Sequence, residues 1–150
     1  MAGRAAVTVA VSLLCGACVP GMTSPARDAG DYREKASTTA GAAASAVATV
    51  ELLVAAARHD DATAAYLSVA VGDAERDLDA TASTFGGILP PGPSSIRQRD
   101  EVVAVLDRAA DDVADARIAI RRGDPRGLSD VQRALRRDIA ALQDLEERTS

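Results

Sequence analysis

The run Val102–Ile120, VVAVLDRAADDVADARIAI, shows in its spacing how this chain folds. Val102, Leu106, Ala109, Val113, Ala116 and Ile120 return at steps of four and three, and the charged residues fall between them. On a backbone with 3.6 residues per turn, those six side chains form one apolar stripe with a polar face opposite. This is an amphipathic helix sustained over several turns.

The same spacing appears in three further segments. The first carries Ala36, Ala40, Ala43, Val47, Val50, Val54 and Ala57, and the second Ala64, Leu67, Val71, Ala74, Leu78 and Phe85. The last carries Leu128, Val131, Leu135, Ile139, Leu142 and Leu145. Composition agrees: alanine dominates, there is one Phe, two Tyr and no Trp, and alanine favours helix over strand. Helices are therefore expected over about 31–58, 61–85, 95–122 and 126–148.

Breaks between the segments have local causes. Asp60 or Asp61 is a candidate cap for the second helix, although the break near His59 contains neither Gly nor Pro. Gly86, Gly87, Pro90, Pro91 and Pro93 end the second helix and force a long connection. Ser95 with Gln98 has capping-box spacing for the third. Gly123 closes that helix, and Asp124–Pro125, or Ser129 with Gln132, starts the fourth.

Short turns make successive helices antiparallel neighbours. Turning the third helix back on the fourth sets Ile120 against Leu128, Val113 against Leu135 and Leu106 against Leu142. The first pair sets Val54 against Leu67, Val50 against Val71 and Ala36 against Phe85, so that small residues face larger ones. The expected fold is all-α, an antiparallel up-down-up-down four-helix bundle over residues 31–150, after an N-terminal signal segment.

That segment has its own grammar. Arg4 gives a positive start, and Ala5–Ala17 is an uncharged, mostly apolar run too short to span a bilayer as a helix. Residues 1–17 read as a signal peptide and 18–30 as a flexible tether with Pro20, Gly21, Ser24 and Pro25. The stretch Leu14–Cys15–Gly16–Ala17–Cys18 resembles the lipobox of bacterial lipoproteins, with Cys15 where Leu is usual. The resemblance implies cleavage before Cys18, lipidation of its thiol, and anchoring at the outer face of the cell membrane. Cleavage by the ordinary signal peptidase at the same bond is the alternative and would leave a freely secreted protein. The body holds no cysteine, because Cys15 and Cys18 are the only two.

Charge narrows the partners. The chain carries −5 at neutral pH, or −6 once residues 1–17, with Arg4 and no acid, are removed. All basic residues except Lys35 are Arg, a bias that fits coding from a high-GC, actinobacterial type of genome. An acidic chain without a basic stripe points away from nucleic acid. The expected partners are the membrane, through the lipid, and another envelope protein.

Chemistry-bearing motifs are sparse. Asp107, Asp111 and Asp115 place one carboxylate per turn on one helix face, and the bundle alignment sets Asp115 by Arg133 and Asp111 by Arg137. An inter-helix ladder of ion pairs accounts for these acids better than a metal site, since no Glu-x-x-His and no EF-hand spacing occurs. His59, the single imidazole, falls at an expected helix end, where it suits the dipole. No cofactor, metal site or catalytic constellation is expected. The expected role is a non-enzymatic interaction or structural module of the cell envelope, with a small-ligand or metal carrier using the bundle interior as the alternative.

Overall fold

The computed structural model describes residues 25–150, so the signal segment, Cys18 and most of the tether lie outside the described residues. Four helices follow one another: α1 (Ala29–His59), α2 (Ala64–Gly86), α3 (Pro93–Arg122) and α4 (Pro125–Thr149). Among the described residues there is no strand.

Each helix begins and ends for a local chemical reason. Asp28 starts α1, its Oδ1 accepting the amides of Asp31 at 2.9 Å and Gly30 at 2.8 Å. Those two donors hold its carboxyl below the usual carboxylate range. The break after His59 is made by Asp60, which takes up the left-handed conformation at φ 56° and returns its amide to the Ala56 carbonyl. The cap of α2 is then Thr63, whose hydroxyl accepts the Tyr66 amide, rather than Asp60 or Asp61. Asp60 is already committed to closing α1, which moves the next start downstream.

The start of α3 also differs from the capping-box reading. Gly92 is the cap and Pro93 the first helical residue, because the fixed φ of proline suits a position whose amide needs no partner. Ser95 sits inside the first turn and is buried. At the far end Gly123, at φ 62°, closes α3, and Asp124–Pro125 opens α4 with Asp124 Oδ1 accepting the Arg126 amide at 3.0 Å.

The core follows the apolar stripes. Ala36, Ala40, Ala43, Val47, Val50 and Val54 of α1 are fully buried, with Val71, Leu78 and Phe85 of α2. Val102, Leu106, Ala109, Val113 and Ala116 from α3 join Leu135, Leu142 and Leu145 from α4. Ala57, Val131 and Ile139 stand at its edge, while Ala64 is exposed. α1 is long and apolar enough, by length and composition, to cross a membrane. Its stripe of small residues lies in the middle of this core.

Small side chains also decide which helix α1 approaches most. Its largest contact is with α4, followed by α2, and it touches α3 as well. α2 and α4 share no Cα pair within 8 Å. At Gly41 a Cβ would come within 2.8 Å of Glu146 Oε1, so glycine lets the α4 side chain lie across α1. The hydroxyl of Ser37 donates to the Glu146 carbonyl beside it at 3.3 Å. At the opposite edge of α1 the ring of Phe85 packs on Tyr32, centroids 5.5 Å apart, one turn before Ala36. Arg99 of α3 donates to the Gly86 carbonyl at 3.0 Å, satisfying a free acceptor at the end of α2.

Candidate functional site

Three of the buried polar side chains lie on α4, where it meets its neighbours. Its apolar stripe runs through Leu128, Leu135, Leu142 and Leu145, and Gln132, Asp138 and Thr149 fall on the same stripe at steps of three and four. All three polar residues are buried. An amide and a carboxylate thus occupy core-facing positions, where each needs partners to offset desolvation.

Asp138 finds its partner on α3. Its side chain is 1% exposed, and Oδ1 accepts a hydrogen bond from Arg108 Nε at 2.9 Å. Oδ2 is buried and receives no hydrogen bond from any donor in its surroundings. The partly buried carboxyl of Asp112 faces it from α3, within hydrogen-bonding reach. Burial, the hydrogen bond that a protonated Asp112 would give Asp138, and the charge of Asp138 push the Asp112 carboxyl up to about 6, against the opposing pull of Arg137. Asp115 adds a smaller push in the same direction.

Gln132 is the hub on the α1 side. It donates from Nε2 to Glu51 Oε1 at 2.7 Å and accepts from Arg58 at its own Oε1. Glu51 is in turn paired with Arg136 at 2.9 Å. Between α2 and α3, Arg117 Nε lies 2.9 Å from Glu75 Oε2. At the chain end Arg148 Nη1 joins Glu101 of α3 at 2.6 Å while its Nε holds Asp144 at 2.9 Å, and the Glu101 carboxylate raises the Arg148 guanidinium above its ordinary value.

The ladder expected on α3 takes another form. Arg133 pairs with Asp130, one turn back on its own helix, and not with Asp115. Asp111 and Asp115 are exposed, and neither they nor Arg137 is within ion-pair distance of an opposite charge among the described residues. Arg137 bears instead on Asp112 through space. The pair that crosses the seam is Arg108–Asp138, because a buried carboxylate without water gains more from a guanidinium than a solvated one does. Asp138 was discernible in the sequence only through the phase of the α4 stripe, where the neighbouring Ile139 competes for the core position.

Other concavities are open hollows. One of about 440 Å³ is lined by Arg33, Glu34, Ser37 and Thr149 at the start of α1. Another, of about 300 Å³, lies between α2 and α3 beside Ser83, Arg99 and Asp107. Among the described residues no three of His, Cys, Asp and Glu are grouped so as to hold a metal ion. His59 is the last residue of α1, in a turn it shares with Arg58. What the interior polar groups do chemically is hold helices together and, at Asp112, keep a carboxyl near the point of taking up a proton. Compared with known protein families, curated protein sequences and solved structures, the chain matches none.

Proposed function

We propose that this chain is the precursor of an exported bacterial lipoprotein, anchored through Cys18 at the outer face of the cell membrane. Its body is an antiparallel, up-down-up-down four-helix bundle that serves the envelope as a non-enzymatic interaction or structural module. The observation that carries the proposal is the order Arg4, the apolar run Ala5–Ala17 and the lipobox-like Leu14–Cys18, directly ahead of a helical domain. A diacylated thiol anchors firmly, at about 0.8 kcal/mol per buried methylene.

The cross-helix pairs support the bundle topology. Early α3 meets late α4 at Glu101–Arg148, and later α3 meets earlier α4 at Arg108–Asp138. Between α1 and α4, Ser37 meets Glu146 while Glu51 meets Arg136. The interior polar side chains support a structural role, since Gln132, Glu51, Asp138 and Arg108 join one helix to another.

Metabolic labelling of producing cells with a fatty-acid analogue tests the anchor. The wild type is expected to carry label and to fractionate with membranes, and Cys18→Ala to lose both. An unlabelled wild type in the medium would mean ordinary signal-peptide cleavage and a free bundle. Loss of label with full membrane retention in Cys18→Ala would shift the anchor to an uncleaved Ala5–Ala17 segment. The interaction role is checked by pull-down from envelope extracts, and turnover of a substrate by the purified protein would overturn it.

A further inference from the structure

We propose that Asp112 and Asp138 share one proton across the α3–α4 seam, making this contact an acid-strengthened latch between the two helices. The Asp138 side chain is 1% exposed, and its Oδ1 is occupied by Arg108 Nε at 2.9 Å. Its Oδ2 is equally buried and lacks a donor. A buried carboxylate oxygen without a hydrogen bond is costly, and native interiors almost always supply one.

The neighbourhood offers one way to supply it. Arg108 is engaged at Oδ1, and Arg137 stands closer in effect to Asp112. The group in hydrogen-bond relation with Asp138 is the Asp112 carboxyl, which becomes a donor only when protonated. With both acids ionised, two negative charges meet in a half-buried seam, and Arg108 bonds to Asp138 while Arg137 bears on Asp112 only through space. With one proton present, O–H of Asp112 donates to Oδ2 of Asp138, and both oxygens of the buried Asp138 carboxylate are satisfied. No bond other than this hydrogen bond forms or breaks, and the proton comes from and returns to solvent.

Few other charges compete. Asp138 and Arg137 from α4 and Asp115 from α3 act on Asp112, and α1 and α2 contribute none of the leading effects. On the flanks Glu51 of α1 is paired with Arg136 and Glu75 of α2 with Arg117. A midpoint at about 6 against the ordinary carboxylate value of 3.8 corresponds to roughly a hundredfold gain in proton affinity on folding. The sign follows: the folded protein binds this proton where the unfolded chain has lost it. The stabilisation is therefore complete below pH 3.8 and is lost as pH rises through about 6. The inference rests on the described helices alone and does not depend on the lipid anchor.

The test uses the full-length chain. Carbon-detected NMR of the carboxyl groups is expected to place the Asp112 midpoint near 6, and an ordinary midpoint near 3.8 would overturn the proposal. Thermal melts from pH 4 to 8 give a second reading. The wild-type melting temperature, compared with that of Asp112→Asn, is expected to fall across this range. Asp112→Asn keeps a permanent donor for Oδ2 and is expected to melt higher than the wild type at pH 7.5. Asp112→Ala relieves the repulsion but offers no donor, and is expected to melt below Asp112→Asn. An alanine variant equal to or above the asparagine one would reduce the contact to repulsion alone and overturn the shared proton.

Discussion

Replacing Tyr32 by Phe is expected to stabilise the protein by removing an atom. The Tyr32 side chain is fully buried, its ring packs on Phe85, and its hydroxyl has no hydrogen-bond partner. Burial raises its phenol above the ordinary value of 10, with a smaller opposing effect from Arg99 and a small reinforcing one from Asp100. An unpartnered buried hydroxyl costs about 1–3 kcal/mol. Phenylalanine keeps the ring contact, an edge-tilted pair of the kind that contributes about 0.5–1.5 kcal/mol, so that term cancels between the two proteins. The void left by one oxygen, about 15 Å³ at about 24 cal/mol per Å³, takes back roughly 0.4 kcal/mol. The net gain is about 0.5–2.5 kcal/mol, or about 4 °C in melting temperature per kcal/mol for a domain of this size.

Urea unfolding at neutral pH measures the difference directly, with an unchanged slope expected because the same surface is exposed. Alkaline titration adds an independent check. Above pH 10 the unfolded chain loses the phenolic proton before the folded protein does, so wild-type stability falls there, and Tyr32→Phe is expected to lack that part of the fall. A variant less stable than the wild type by more than about 0.5 kcal/mol would mean that the Tyr32 hydroxyl is satisfied by a partner such as bound water, and would overturn the prediction.

Further substitutions probe the joints between the helices. Gln132→Ala removes the buried link among Arg58, Glu51 and α4, and is expected to cost about 2–3 kcal/mol in urea unfolding, as hydrogen bonds to charged groups do. Gly123→Ala places a Cβ in open space but at φ 62°, so its cost of about 1–2 kcal/mol is one of backbone conformation alone. Asp60→Gly, at φ 56° in the α1–α2 turn, is expected to move the melting temperature the opposite way.

Much of the secondary structure was legible because its causes are local. The stripes of α1 to α4 are read from spacing, and Gly123 with Asp124–Pro125 marks one boundary to the residue. Where two local signals competed, the sequence reading lost. Asp60 resembles a cap for α2 as much as an end for α1, and only its left-handed backbone assigns it to α1. Ser95 resembles a helix start as much as Pro93 does, and its burial in the first turn decides between them.

Segregation of Gln132 and Asp138 into the core belongs to tertiary structure. A carboxylate at the edge of a stripe costs little if it rotates outward and much if it is enclosed, and the packing of α3 against α4, with Arg108 as partner, encloses Asp138. The same holds for the ion pairs. Arg108, Arg133 and Arg137 each reach several acids, and exposed pairings differ by less than about 1 kcal/mol, so helical spacing cannot rank them. Amphipathic period and the Gly123–Asp124–Pro125 boundary were determined by the sequence alone, because each rests on neighbours within a few residues along the chain. The broad contact of α1 with α4, the enclosure of Asp138 and its meeting with Asp112 were decided only by packing, because each depends on which faces of four similar helices find one another.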